Sequence, residues 1–135
     1  MRYLMHEAAT VDAEEKVIMI NDVARAFFEA EAIRQVCVEI PEEDIQPKDK
    51  GKDLVGLLKM SLYGTRDAAK NWQEEVAKTM KALGFSQGKY NPCLYYHAKW
   101  DLRTLVHGDD FATVRTRRAA VQFRTLLEKS FKIKT

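Results

Sequence analysis

Two adjacent carboxylates, Asp109 and Asp110, separate two short apolar runs in this sequence of 135 residues. Apolar runs on both sides of a short polar break predict a β-hairpin that carries both aspartates at its tip. Neighbouring carboxylates repel each other, and a hard cation such as Mg²⁺ relieves that repulsion because it binds carboxylate oxygens. Taken alone, the pair is explained more simply as an exposed polar turn, since the chain has 20 acidic residues.

A third carboxylate follows an apolar run near the start of the chain. Residues 16–22 are rich in β-branched and other apolar side chains and predict a buried strand that ends on Asp22. If this strand lies beside the hairpin, Asp22, Asp109 and Asp110 meet at one edge of a sheet. Three such carboxylates suit a pair of Mg²⁺ ions that stabilise the attacking and leaving oxygens of a phosphoryl displacement.

The rest of the hydrophobic pattern predicts an α+β fold. Apolar residues spaced by three and four positions predict a helix over residues 66–83, with Trp72 in the core, Thr65 as N-cap and Gly84 just beyond the end. Antiparallel strands with helices on one face are the expected arrangement. The shorter predicted segments are a helix over residues 2–10, a helix capped by Thr116, strands over residues 34–40, 54–60, 93–97 and 131–134, and polar connections over residues 11–15 and 41–53.

Composition narrows the functional classes. The length suits one domain, and 46% apolar with 31% charged residues is an ordinary globular balance. A net charge of +2 gives no strong overall attraction to nucleic acid. No apolar run approaches the roughly 20 residues of a transmembrane helix and no signal peptide is recognisable, so we expect no membrane partner. Because the two cysteines show no disulfide framework, we expect an intracellular protein, cytoplasmic or nuclear. Cys37 and Cys93 lie in apolar runs without metal-ligand spacing, which predicts reduced thiols packed as small hydrophobic residues.

Three segments in this order resemble the reverse transcriptase of copia-type LTR retrotransposons. They are Asp22-Val23-Ala24-Arg25-Ala26-Phe27-Phe28, then Ser61-Leu62-Tyr63-Gly64 through Trp72, then His107-Gly108-Asp109-Asp110. Residues 36–41, 83–85 and 91–94 are also similar, so the resemblance covers nearly the whole chain. It implies a polymerase palm-like fold, in which residues 1–135 form a single palm domain with partial fingers, as a fragment of a larger polyprotein.

The resemblance also implies an activity and its cofactors. The activity is RNA-directed DNA polymerisation, in which dNTPs are added to a primer on an RNA or DNA template. Asp22, Asp109 and Asp110 would be the catalytic carboxylates and would bind two Mg²⁺ ions, with Mn²⁺ as an alternative ion. The backbone carbonyl of Val23 would add a further metal ligand.

Substrate-binding residues follow from the same resemblance. Backbone N–H groups of Arg25 and Ala26 would contact the triphosphate. The Phe27 ring would lie beneath the sugar of the incoming nucleotide, where its bulk disfavours a 2′-hydroxyl. Packing in the core is the alternative for Phe27 and, more strongly, for Phe28.

Two departures from the family pattern affect the expected site. The family usually has Tyr-Val before its aspartate pair, whereas this chain has His107 and Gly108. We expect Gly108 to loosen the hairpin. His107 is either a core residue or faces the primer end, and a structural role is favoured. Where the family commonly has Lys-Gln-Ala-Pro, this chain places Asp67, which adds negative charge near the phosphates or serves as an acid in the first turn of a helix.

Two other functions stay open on the sequence. A non-catalytic retrotransposon remnant, with at most weak nucleic-acid binding, is favoured by the short chain. With little fingers region before Asp22 and no thumb after Lys134, we expect poor catalysis, because phosphoryl transfer depends on positioning. A nucleotidyl cyclase with a palm-like site is the second alternative, and the segment from residue 61 to Trp72 argues against it. The retained aspartates favour the polymerase.

Overall fold

The computed structural model describes residues 1–10 and 14–134, so the predicted connection over residues 11–15 falls mostly outside the described residues. Within the described residues the helices are α1 (Arg2–Ala9), α2 (Ala68–Ala82) and α3 (Arg117–Ser130). The strands in the same part of the chain are β1 (Lys16–Val23), β2 (Cys37–Glu39), β3 (Val55–Leu57), β4 (Ser86–Gln87), β5 (Leu94–His97), β6 (Leu102–His107), β7 (Asp110–Thr116) and β8 (Ile133–Lys134).

Most of the strands form a single antiparallel sheet in the order β4-β5-β6-β7-β1-β8, and β2 pairs with β3 in a separate sheet. The β6–β7 hairpin lies at the centre of the large sheet. Strand β1 pairs along the whole length of β7, from Lys16 opposite Thr116 to Asp22 opposite Asp110. The end of β1 therefore lies beside the turn of the hairpin.

The main core lies between one face of this sheet and the two long helices. It is built by Trp72, Val76 and Met80 of α2, Phe123 and Leu127 of α3, and strand residues that include Val23, Tyr95, Leu102 and Phe111. A fully buried large apolar side chain contributes about 1.5–3 kcal/mol relative to an exposed one, so this layer is the main source of stability. The predicted α+β fold, an antiparallel sheet with helices packed on one face, is confirmed, and the two long helices are the ones that pack on this face.

The short helix α1 covers part of the reverse face of the sheet. Leu4 is fully buried against Ala112 and Val114, which alternate along β7 with the core residue Phe111. Only the carboxyl half of β7 is covered in this way. The end of the sheet that carries the aspartates stays open on this face.

Arg103 of β6 ties α1 to the sheet. Its Nη1 atom lies 3.3 Å from Glu7 Oε1 and 3.0 Å from Asp101 Oδ1. Burial alone would lower the pKa of the Arg103 guanidinium, but the charges of Asp101 and Glu7 and a hydrogen bond with Tyr3 outweigh it and raise the pKa. The guanidinium therefore stays charged and holds both carboxylates.

The ends of the long helices agree in part with the sequence. Gly84 has a left-handed φ of 91° just after α2, and the Thr116 hydroxyl accepts a hydrogen bond from Ala119 N at 3.5 Å, as predicted. The predicted N-cap of α2 is wrong, because Asp67 holds that position without a side-chain capping bond. Thr65 instead donates its hydroxyl to the Leu62 carbonyl at 2.7 Å and closes the preceding turn.

Strand β1 forms as predicted, but only the face towards the long helices is buried. Ile18 and Ile20 are 40% and 54% exposed, whereas Asn21 and Val23 are fully buried. Successive side chains of a strand point to opposite faces, and the long helices cover only one face of this sheet. The run of apolar residues predicted burial on both faces of β1, whereas the face away from the long helices is exposed.

The strands before α2 and the cysteines also differ from prediction. Strands β2 and β3 are three residues each, shorter than the predicted segments, because they pair only with each other. Cys37 is exposed and Cys93 is half-buried, so the prediction of packed small hydrophobic residues is wrong for Cys37 and holds only in part for Cys93. Both thiols are free. In residues 1–10 and 14–134, no helix combines the length and apolar character needed to cross a bilayer.

Candidate metal centre

Strand register brings the three predicted carboxylates together. Asp22 at the end of β1 lies directly opposite Asp110 at the start of β7. Asp109 is in the turn that connects His107 to Asp110, the last pair of the β6–β7 ladder. Directly opposite residues of an antiparallel pair project to the same face, so Asp22 and Asp110 share the open face of the sheet.

The distances between these carboxylates suit shared cations. Oxygen atoms of Asp22, Asp109 and Asp110 all lie within 4.8 Å of one another. Two ligands on one Mg²⁺ lie at most about 4.2 Å apart, since each Mg–O bond is about 2.1 Å long, and ligands on two ions about 3.5–4 Å apart can lie further from each other. Asp22 is half-buried, and Asp109 and Asp110 are exposed. The cluster therefore has the oxygen chemistry, the spacing and the access to solvent that a divalent ion needs.

The turn of the hairpin is tight, which differs from the expected loosening at Gly108. Gly108 has a left-handed φ of 61°, and a two-residue hairpin turn of type II′ needs such a value at its first position. The Asp109 carbonyl accepts a hydrogen bond from Val23 N at 2.9 Å. Glycine therefore allows the turn that presents Asp109 beside β1.

Replacing this glycine tests the conformation of the turn. Gly108→Ala should lower the free energy of unfolding by about 1–2 kcal/mol, because an L-residue pays that cost in the left-handed region. Urea unfolding measures the change. Gly56→Ala is the matched control, since Gly56 has no positive φ and an added Cβ would lie 3.5 Å from Val38 Cγ2, an ordinary contact. Equal effects of the two substitutions would contradict the assigned turn.

His107 and Lys134 flank the carboxylates in the sheet. His107 is opposite Asp110, and Lys134 of β8 is opposite Asp22, so the four residues form a row across four strands. Both His107 and Lys134 are exposed. Exposure excludes the core position that was one alternative for His107. The row places Lys134 where its charge partly offsets the carboxylates.

The residues after β1 form the side of the site. Arg25 has a left-handed φ of 57° and is exposed, and the fully buried Ala26 begins a 3₁₀ turn, Ala26–Glu29. Phe27 is half-buried, with its ring centroid 4.3 Å from that of Tyr63. It also packs against the main core, whereas Phe28 is 40% exposed. Phe27 therefore combines core contact with a partly open ring.

Asp67 lies in a cluster of cations at the start of α2. Its Oδ1 atom is 3.2 Å from Arg34 Nη2. Arg34, Arg66, Asp67 and Lys70 together line an open pocket. The negative charge expected near the phosphates is thus paired with Arg34, and three cations surround it.

Two neighbours of the predicted site were not found from the sequence. Tyr63 supports Phe27, and its place in the Ser61–Gly64 motif was the available signal. Arg34 pairs with a residue 33 positions away, and no local pattern indicates such a pair.

Near the hairpin, burial and the nearby Cys93 raise the pKa of Tyr95, so its hydroxyl stays protonated and accepts from Gln87 Nε2 at 3.2 Å.

The family model described as reverse transcriptase (RNA-dependent DNA polymerase) matches residues 2–135. The chain belongs to the reverse transcriptase family. No curated protein and no solved structure gives a significant match. Reverse transcriptases polymerise DNA on a nucleic-acid template from dNTPs and use divalent metal ions. The aspartate cluster therefore belongs to a chain whose family uses such ions. Family membership also removes the nucleotidyl cyclase alternative.

Proposed function

We propose that this reverse transcriptase is of the copia type and that the chain is its palm, which adds dNTPs to a primer paired with an RNA or DNA template by two-metal nucleotidyl transfer. The observation that carries the proposal is the meeting of Asp22, Asp109 and Asp110 on the open face of the sheet, within a chain of this family. The open face beside them leaves room for a template and primer.

The carboxylates would hold Mg²⁺, or Mn²⁺ in its place. All three offer hard oxygen ligands, which both ions prefer, and the Val23 carbonyl would add another. Two bound ions would supply charge stabilisation at the attacking and leaving oxygens. The protein's own contribution is position, because β1 and the hairpin fix the aspartates on one rigid sheet.

The nucleotide would lie beside the segment that follows β1. The first N–H groups of a helical turn have no partner within it, and this supports a triphosphate contact at Arg25 and Ala26. The Phe27 ring would contact the sugar. Its contact with Tyr63 restricts the ring and makes it a firm wall against a 2′-hydroxyl.

Asp67 provides a test of how charge near the phosphates affects the substrate. Asp67→Asn should lower the KM for dNTP about two- to five-fold, because removing one partly exposed negative charge is worth up to about 1 kcal/mol and releases Arg34. Steady-state primer extension measures KM. Asp53→Asn is the control, since it removes one exposed negative charge in the loop before β3 and none of the four residues that line the pocket. A raised KM in Asp67→Asn would show that the Asp67–Arg34 pair itself organises the pocket.

Primer extension on an RNA template tests the proposed activity. The wild-type chain with Mg²⁺ should extend the primer with dNTPs, and Asp109→Asn should not. If the wild-type chain and this variant are equally inert while both remain folded, the proposal fails. The non-catalytic retrotransposon remnant, with at most weak nucleic-acid binding, is then the correct function.

A further inference from the structure

Both carbonyl groups of the hairpin turn accept hydrogen bonds from other parts of the fold. Val23 N on β1 donates to the Asp109 carbonyl at 2.9 Å. The indole Nε1 of Trp72 on α2 donates to the Gly108 carbonyl at 2.7 Å. The turn that presents Asp109 and Asp110 is therefore connected both to the neighbouring strand and to a helix on the other side of the sheet.

Trp72 is held firmly enough to act as an anchor. Its side chain is 1% exposed in the middle of the main core. The ring packs edge-on against Phe131, with centroids 5.0 Å apart. Phe131 leads into β8, which pairs with Asp22 and Val23 at the end of β1. A buried indole N–H can only donate, so its acceptor is fixed as firmly as the ring.

The hydrogen bond from Trp72 matters because it fixes the direction of the Gly108 carbonyl. Glycine occupies positive and negative φ about equally, so the backbone at Gly108 has little preference of its own. The carbonyl belongs to the peptide group that joins Gly108 to Asp109, and fixing its direction fixes where the Asp109 side chain starts. Ligands that are ordered before binding lose less entropy when a cation binds.

We propose that Trp72 is a positioning residue for the metal centre, which holds Asp109 and Asp110 in line with Asp22 through its hydrogen bond to the Gly108 carbonyl. This inference rests on the proposed function, because it assigns a metal to the turn. It differs from simple core packing in one respect: the N–H group, and not only the ring, affects the carboxylates.

The first test removes the N–H group and keeps an aromatic ring. Trp72→Phe should speed hydrogen exchange of the amides of residues 107–110 in the metal-free chain by about two- to ten-fold, the range expected for one hydrogen bond. The Kd of the Trp72→Phe variant for Mn²⁺ should rise by a similar factor. Trp100→Phe is the control, since Trp100 is half-buried in the turn between β5 and β6, stacked on His97 with centroids 4.3 Å apart. It should change neither quantity.

The second test leaves Trp72 intact and so does not depend on the stability of Trp72→Phe. The sequence has two tryptophans, and Trp100→Phe leaves Trp72 as the sole indole emitter. Mg²⁺ should shift its fluorescence along a saturation curve with the Kd of the ion. Adding Asp109→Asn should abolish the shift. A tryptophan that only fills the core would not respond.

The outcomes separate this inference from the proposed function. Unchanged exchange at residues 107–110 or an unchanged Kd for Mn²⁺ in Trp72→Phe would overturn the inference. A Trp72 emission that does not respond to a bound ion would also overturn it, even if the wild-type chain binds Mn²⁺. Absence of any ion binding by the wild-type chain would overturn the proposed function and the positioning role together. Faster exchange would then show only that the bond stabilises the turn.

Discussion

Asp109→Asn should reduce nucleotide incorporation about 1,000-fold or more. Asp109 is one of three carboxylates within 4.8 Å of one another, and an amide has no negative charge to hold a cation. Metal ions stabilise the charge of a transition state by several kcal/mol, and about 4 kcal/mol corresponds to this factor. Primer extension under single-turnover conditions measures the loss. Asp53→Asn, at an exposed loop position, should keep wild-type activity.

The same substitution should have the opposite effect on stability without metal. In EDTA, Asp109→Asn should raise the free energy of unfolding by up to about 1 kcal/mol, since it removes repulsion between exposed carboxylates. Added Mg²⁺ should stabilise the wild-type chain, by about 2.7 kcal/mol at 100 times its Kd, and should not stabilise the variant. Loss of stability in EDTA would indicate that Asp109 has a structural role instead.

Phe27→Val should weaken the discrimination between dNTPs and rNTPs by about 10–100-fold. The partly open Phe27 ring, held by Tyr63, would lie where a 2′-hydroxyl must pass, and an apolar pocket discriminates against an added hydroxyl by about 100-fold. Removing most of the ring leaves space for that hydroxyl. Equilibrium binding of a matched dNTP and rNTP to the chain with primer and template measures the ratio.

Phe28→Val is the control for this prediction. Phe28 is the next residue, is 40% exposed, and lies 5.7 Å from the Tyr63 ring by centroid distance. Phe28→Val should leave the ratio of dNTP to rNTP binding unchanged. If the two variants changed the ratio equally, or if Phe27→Val changed only stability, Phe27 would be a core residue without a role in sugar selection.

The sequence predicted those elements whose pattern is local. The stripe through Trp72 and Met80 fixed α2, Gly84 fixed its end, and the apolar runs around Asp109 fixed the hairpin. These features depend on residues a few positions apart, so periodicity and turn chemistry suffice. The family resemblance extended this to nearly the whole chain, and membership of the reverse transcriptase family is confirmed.

Burial and long-range pairing were beyond what the sequence could predict. Ile18 and Ile20 are as apolar as core residues, but which face of β1 the helices cover depends on the whole sheet. From the sequence, Asp22 would lie beside the hairpin only if the two strands were neighbours. The register of β1 and β7 shows that they are. The bond from Trp72 to Gly108 joins residues 36 positions apart, and no local pattern signals it.

The central claim is that carboxylates from two strands form one metal centre, and Mn²⁺ titration followed by electron paramagnetic resonance tests it most directly. Asp22 is the decisive residue, because it comes from β1 whereas Asp109 and Asp110 come from the hairpin. We expect the wild-type chain to bind Mn²⁺ in competition with Mg²⁺, and Asp22→Asn to raise the Kd at least about ten-fold, as changes at metal sites commonly do. Wild-type affinity in Asp22→Asn would contradict the claim and leave Asp109 and Asp110 as an exposed polar turn.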